Sequence, residues 1–134
     1  MSLKVFLSGA IEGVEAYGIE WRKVASKALH LAGYEVLDPT SIVDTGYETP
    51  EEIVEKNLFL QRRADILLVE YMLPDRPYIG TDFELAWAKM NGQPSIVFTC
   101  DKNKNRVYLK YMATKLASSM EDAIEYISTN YPSN

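Results

Sequence analysis

Five short apolar runs, alternating with segments of helical periodicity, constrain this chain more than any other feature. The runs are "LKVFLSG", "YEVLDP", "DILLVEYM", "PSIVFTC" and the weaker "TKLASS". "DILLVEYM" reads as a continuously apolar strand, the pattern of a parallel strand covered on both faces. Between the first two runs, "GIEWRKVASKALHLAG" places Ile19, Val24, Ala28, Leu29 and Leu31 at helical spacing and ends at Gly33, a C-cap residue. "TPEEIVEKNLFLQRRA" opens with Thr49 as cap, Pro50 at the first helical position and Glu52 closing a capping box. "TDFELAWAKMNG" shows the same signal, Thr81 with Glu84, and ends near Gly92. The last helix, "SMEDAIEYISTNY", has Ser118 with Glu121 as its cap pair and sets Met120, Ile124 and Ile127 on one face. "SIVDTGYE" and "LPDRPYIG" read as loops, and "DKNKNRVYLKYM" is a polar excursion with no clear element.

Strands that alternate with helices imply right-handed βαβ crossovers. The expected fold is therefore α/β: a doubly wound, flavodoxin-like or Rossmann-like parallel sheet of about five strands, order 2-1-3-4-5, with helices on both faces. The 134 residues can bury a core without a disulfide or metal staple, and one domain over 1–134 is expected. A net charge of −5 argues against non-specific binding to nucleic acid polymers or anionic membranes. The single cysteine, Cys100, suits a reducing cytoplasm. "MSLKVFLSGAIEG" reads as a first strand, not a signal peptide, and no apolar run approaches the roughly 18 residues of a membrane span.

In such a sheet, ligands bind beyond the carboxyl ends of the strands where strand order reverses, here between strands 1 and 3. The bordering loops are "SGAIEG" and "YMLPDRPYIGT", and the second runs straight into Glu84. Glu84 thus has two readings, a helix cap or a carboxylate that does chemistry. "SGAIEG" lacks the Gly-Lys-Ser/Thr ending of a P-loop and is not GxGxxG. Its backbone is either a cradle for a ligand oxygen or a tight turn. Asp65 opens strand 3, far from that strand's carboxyl end, and reads as an anchor for the helix-to-strand turn. Asn57 faces either solvent or the crevice. His30 has no Cys or His companion, so no metal site is expected, and no cofactor. Trp21 and Trp87 read as core. No Ser-His-Asp or Cys-His pair is apparent.

"VFLSGAI", "WR", "GYEVLDP", "ADILLVEY", "GTDFELAWAKMNGQPSIVF" and "SSMEDAIEYI", in that order, resemble the nucleoside 2-deoxyribosyltransferases and the related deoxynucleoside-monophosphate N-glycosidases. The resemblance covers nearly the whole length. Its most specific element is Gly-Thr-x-x-Glu followed by small helix residues and Gly-x-Pro. It implies that Glu84 is a nucleophile that attacks the anomeric carbon and forms a covalent glycosyl-enzyme, as retaining glycosidases do. An incoming base then takes the sugar; water in its place gives hydrolysis. A helix N-terminus is expected to keep Glu84 ionised. The substrate-binding set implied is Ser8, Gly9, Ala10, Ile11, Asp38, Asn57, Asp65, Asp75, Tyr78, Gly80 and Thr81.

The departures from the family are specific. Its tyrosine near the end of strand 1, hydrogen-bonded to the nucleophile, is Phe6 here. An aspartate that contacts the sugar is Asn57. Tyr78 stands six before the nucleophile, where Asp or Ser is usual, and Asp75 is the candidate substitute. The serine and the basic residue that the monophosphate glycosidases place in the strand-1 loop are Ala10 and Glu12, and Glu12 would repel a 5′-phosphate. The leading expectation is a nucleoside 2-deoxyribosyltransferase of nucleotide salvage, exchanging the base of a deoxynucleoside for a free nucleobase. The alternatives are an N-glycosidase on the same fold and a non-catalytic nucleoside- or nucleotide-sensing module. The resemblance also implies a homo-oligomer, dimer or larger, with shared active sites and the Asn105–Tyr111 segment as donor.

Overall fold

The computed structural model describes residues 2–41, 46 and 48–133. Most of the expected loop "SIVDTGYE" lies outside the described residues. The chain runs β1 (Lys4–Ser8), α1 (Glu15–Leu31), β2 (Glu35–Leu37), α2 (Pro50–Arg62), β3 (Ile66–Tyr71), α3 (Ile79–Met90), β4 (Ser95–Thr99), α4 (Val107–Met112), β5 (Lys115–Ala117) and α5 (Met120–Asn130). The five strands form one sheet in the order β2-β1-β3-β4-β5. Every pairing is parallel, with Ser8 opposite Val69 and Leu68 opposite Ile96. This is the doubly wound α/β fold and strand order expected above.

Strand alternation divides the core in two. Val5, Leu7, Ile66, Leu68, Ile96 and Phe98 face α1 and α5, where Trp21, Ala25, Leu29, Ala123 and Ile127 close over them. Phe6, Leu67, Val69, Tyr71 and Val97 face the other way, toward Leu85 and Ala88 of α3 and Leu109 and Met112 of α4. Ser8 follows Phe6 by two residues and so points to the α3 side.

The helices correct the reading in four places. α1 buries Gly18, Trp21, Arg22, Ala25 and Leu29. Ile19, Val24 and Leu31, expected on its apolar face, are exposed. The packed stripe contains a glycine and an arginine, which apolar counting passes over. Gly18 belongs there because a Cβ on it would lie 2.6 Å from the Ala10 carbonyl oxygen, so α1 and the β1 loop touch backbone to backbone. Thr49 and Glu52 form the expected capping box at α2. Thr81 and Glu84 do not: α3 starts at Ile79 with Tyr78 as a cap that makes no side-chain bond, and Thr81 is buried in its first turn. At α5 the cap is Ser119, which accepts from the Asp122 amide, not Ser118. The polar excursion contains a 3₁₀ turn, Asn103–Asn105, and α4.

Candidate active site

α3 starts early because tertiary contacts outweigh the local capping signal. The Tyr78 ring stacks on Tyr71 at 4.0 Å between centroids. Its hydroxyl donates to Glu70 Oε2 at 2.8 Å and accepts from the Leu73 amide at 2.9 Å. One turn on, the Tyr71 hydroxyl donates to Asp82 Oδ1 at 2.7 Å. With Tyr78 and Asp82 fixed, the helix is nucleated at Ile79 and Glu84 falls in its second turn. The side chain of Glu84 therefore turns toward the end of β1, where Ser8 Oγ donates to Oε1 at 2.5 Å. The Glu84 carbonyl accepts from Gln61 Nε2 of α2 at 2.8 Å, which ties α3 to α2 beneath the carboxylate.

Glu84 opens onto a cleft of about 380 Å³ between α2 and α3. Its other walls are Val54, Asn57, Leu58, Ile79, Gly80 and Phe83. That volume lies in the range of small-molecule sites, roughly 300–1,000 Å³. Burial pushes the Glu84 carboxyl up from 4.5 to about 7, against the Ser8 hydrogen bond and the positive charge of Arg22, which both favour the anion. The expectation that a helix N-terminus keeps this group ionised is thereby corrected. The helix field fades within the first turn, and desolvation outweighs what remains. Near neutral pH the carboxyl is poised between anion and acid.

A second carboxylate, fully buried, joins the loops at this end of the sheet. Glu70 of β3 accepts from the Ala10 amide (3.0 Å), the Met72 amide (2.9 Å), the Tyr17 hydroxyl (2.7 Å) and the Tyr78 hydroxyl (2.8 Å). It thus ties the loop after β1 to the loop after β3. Arg22, fully buried in α1, donates to the carbonyls of Gly9 (3.1 Å), Ala10 (3.4 Å) and Gly18 (3.0 Å). Its Nε lies 3.7 Å from Asp38 Oδ1, an atom that also accepts from the Thr40 amide and hydroxyl. Burial lowers the Arg22 pKa, opposed by Asp38, Glu84 and Glu70, and a guanidinium stays charged regardless. The Ile11 carbonyl accepts from the Val14 amide, so "SGAIEG" is a tight turn held from below.

Of the expected substrate-binding residues, Asn57 and Gly80 share the cleft with Glu84, and Ser8 touches Glu84 itself. Gly9, Ala10 and Ile11 form the loop above Arg22, and Asp38 is that arginine's partner. Four others are placed elsewhere. Asp65 bonds the Lys4 amide at the amino edge of the sheet, because it opens β3. The hydroxyl of Tyr78 is consumed by Glu70 and Leu73. Asp75 is exposed, with φ +62, and pairs with Lys102 at the surface. Thr81 packs in the α3 turn and does not line the cleft. Glu70 and Arg22 were passed over as functional residues. The available signals were a carboxylate inside an apolar strand and an arginine on the face of α1 that also carries Trp21.

No protein-family model matches this chain. A candidate 2′-deoxynucleoside 5′-phosphate N-hydrolase of Thermofilum pendens is 31% identical over 99 residues, which make up 70% of this chain and 66% of that protein. The chain thus spans just under two thirds of the relative's length. Among solved structures, a 2-deoxyribosyltransferase of Bacillus psychrosaccharolyticus superposes with a TM-score of 0.77 at 17% identity, over 98% of this chain and 97% of that one. A 2-deoxyribosyltransferase of Leishmania mexicana gives 0.75 at 18% identity, over 96% and 99%. At such identities the superpositions speak for the fold. With the sequence match to the hydrolase, this chain is similar in sequence and fold to the family of nucleoside 2-deoxyribosyltransferases and deoxynucleoside-monophosphate N-glycosidases.

Proposed function

We propose that the chain is a nucleoside 2-deoxyribosyltransferase with Glu84 as nucleophile. The observation that carries this is a carboxylate with one oxygen hydrogen-bonded to Ser8, set in the wall of an otherwise largely apolar cleft. Val54, Leu58, Ile79 and Phe83 suit the faces of a nucleobase, and Asn57 supplies a hydrogen-bonding group at the same wall. A Glu84 oxygen attacks C1′ as the C1′–N bond breaks. The electron pair leaves with the base, which takes a proton from water. The glycosyl ester is then opened by a ring nitrogen of a second base, which forms the new C1′–N bond, loses its proton to solvent and restores the carboxylate.

Hydrolysis is the second reading, favoured by the name of the Thermofilum relative. Water then opens the ester and free 2-deoxyribose appears. Charge does not separate nucleoside from 5′-monophosphate as Glu12 alone suggested. Arg76 donates to the Glu12 carbonyl at 3.0 Å and brings a cation to the same loop. A second copy of the chain completing the cleft belongs to this proposal: Ile79 and Phe83 beside the cleft and Val107, Tyr108 and Tyr111 of α4 are exposed apolar surface.

The test incubates thymidine, deoxyinosine and their 5′-monophosphates with and without adenine, and separates the products. Wild type is expected to form deoxyadenosine from thymidine plus adenine. Release of 2-deoxyribose irrespective of adenine would assign hydrolysis instead. Glu84→Ala is expected to lose at least about 10³-fold in rate. Full activity in that variant, or no cleavage of any substrate by wild type, sinks the proposal; binding without turnover, unchanged in Glu84→Ala, would point to a sensing module.

A further inference from the structure

We infer that Ser8 is the positioning residue of the Glu84 carboxylate: it holds Oε1 and so leaves Oε2 as the attacking oxygen. The inference rests on the reading of Glu84 as nucleophile and reassigns Ser8 from the substrate-binding set. Phe6 and Ser8 lie on the same face of β1, two residues apart. Phe6 is fully buried in the core against α3 and carries no donor. Ser8 is also fully buried, and its hydroxyl donates to Glu84 Oε1 at 2.5 Å. No described residue donates a hydrogen bond to Oε2.

The backbone of Ser8 does not yield. β1 pairs with β3 through Ser8, which stands opposite Val69, and with β2 through Phe6, two residues before it. A serine hydroxyl on such a strand is a donor with one side-chain torsion, whereas the glutamate it restrains has three. Gln61 fixes the other end of that side chain through the Glu84 carbonyl.

Among the described residues, the groups around Glu84 leave Ser8 as the one direct donor to its carboxylate. From α1, Arg22 acts through its field while its N–H groups go to the carbonyls of Gly9, Ala10 and Gly18. Asp38 after β2 and Glu70 of β3 bear on Arg22. α2 contributes the neutral Asn57 and Gln61. Asp82 on α3 is bonded to Tyr71. A hydroxyl donating to a carboxylate both orients it and favours its anion.

Ser8→Ala removes the donor without adding bulk, and Ser8→Thr keeps it. In Ser8→Ala, kcat is expected to fall about 10- to 100-fold, the factor for a hydrogen bond to a charged group, with KM within about threefold. The acid limb of kcat/KM is expected to rise by about one pH unit, with Ser8→Thr close to wild type. A carbon-13 titration of the Glu84 carboxyl in the unliganded protein reads the same contact without turnover, and its midpoint should rise in Ser8→Ala. A wild type that cleaves nothing would defeat the functional reading and leave this titration standing. An unmoved Glu84 midpoint in Ser8→Ala overturns the inference even with full wild-type activity. So does a raised KM at unchanged kcat, which would make Ser8 a substrate contact.

Discussion

Replacing Glu84 by Gln tests the electrostatics of the site while keeping its shape. The folded chain holds the Glu84 carboxyl at about 7, against 4.5 ordinarily, chiefly through burial. Between those values the folded chain binds a proton that the unfolded chain has released. Stability therefore falls as pH rises through this window and levels off above about 7. The full difference is about 3 kcal/mol, at about 1.36 kcal/mol per tenfold change. Hydration of the open oxygen, Oε2, brings the expected cost to about 2 kcal/mol. Glutamine offers Ser8 the same acceptor oxygen and never ionises, so Glu84→Gln lacks this slope. It should match wild type near pH 4.5 and exceed it by about 2 kcal/mol above about pH 8. Urea titrations across that range read the gain as a midpoint raised by about 1 M at unchanged slope. Parallel pH dependence in the two proteins, or a less stable glutamine variant at pH 8, would refute the reasoning. On the proposed function the same variant also loses its nucleophile, so the stability gained at alkaline pH should accompany loss of activity, as expected where function holds a group in a costly environment.

Gly18→Ala should destabilise by about 1–3 kcal/mol although alanine favours helix, because its Cβ would sit 2.6 Å from the Ala10 carbonyl oxygen and push α1 off the β1 loop. Thermal melting reads the loss, and kcat/KM should fall with it since that loop abuts Ser8. Thr49→Ala removes the capping box of α2 and should cost about 1 kcal/mol by urea titration with activity unchanged, the cap being exposed.

The strand order was legible because it rests on features each run carries by itself: apolar composition, length, and a helix between every pair. The α2 cap was legible for a similar reason, since Thr49, Pro50 and Glu52 act within one turn at the surface. Thr81 and Glu84 present the same letters and mean something else. Tyr78, held by stacking on Tyr71 and by two hydrogen bonds, starts the helix three residues ahead of Thr81. A local signal decides a helix end only where no tertiary contact competes. The same limit explains the reversed face of α1: its packed stripe was unreadable as apolar because Gly18 and Arg22 serve the loop above the sheet. It also explains Asp65, Asp75 and Tyr78, whose partners lie in elements that a linear reading does not bring together.

Fully buried Glu70 and half-buried Glu84 stand near the point where strand order reverses, and residue type alone does not say which of them would react. The supply of donors favours Glu84, the proposed nucleophile. Glu70 takes four hydrogen bonds across both of its oxygens, from two amides and two tyrosines, so its lone pairs are engaged and its position is fixed by both loops. An attack on C1′ by that group would have to break this set and loosen the loops that shape the site. Among the described residues Glu84 takes a single side-chain hydrogen bond, at Oε1, and it faces the cleft, so Oε2 can form a new bond without giving up one of these contacts. The saturated carboxylate holds the frame, and the undersupplied one is the better fit to the proposed attack. Arg22 links the two: its N–H groups hold the loop carbonyls, and its charge favours the anion of Glu84 without occupying the oxygen proposed to attack.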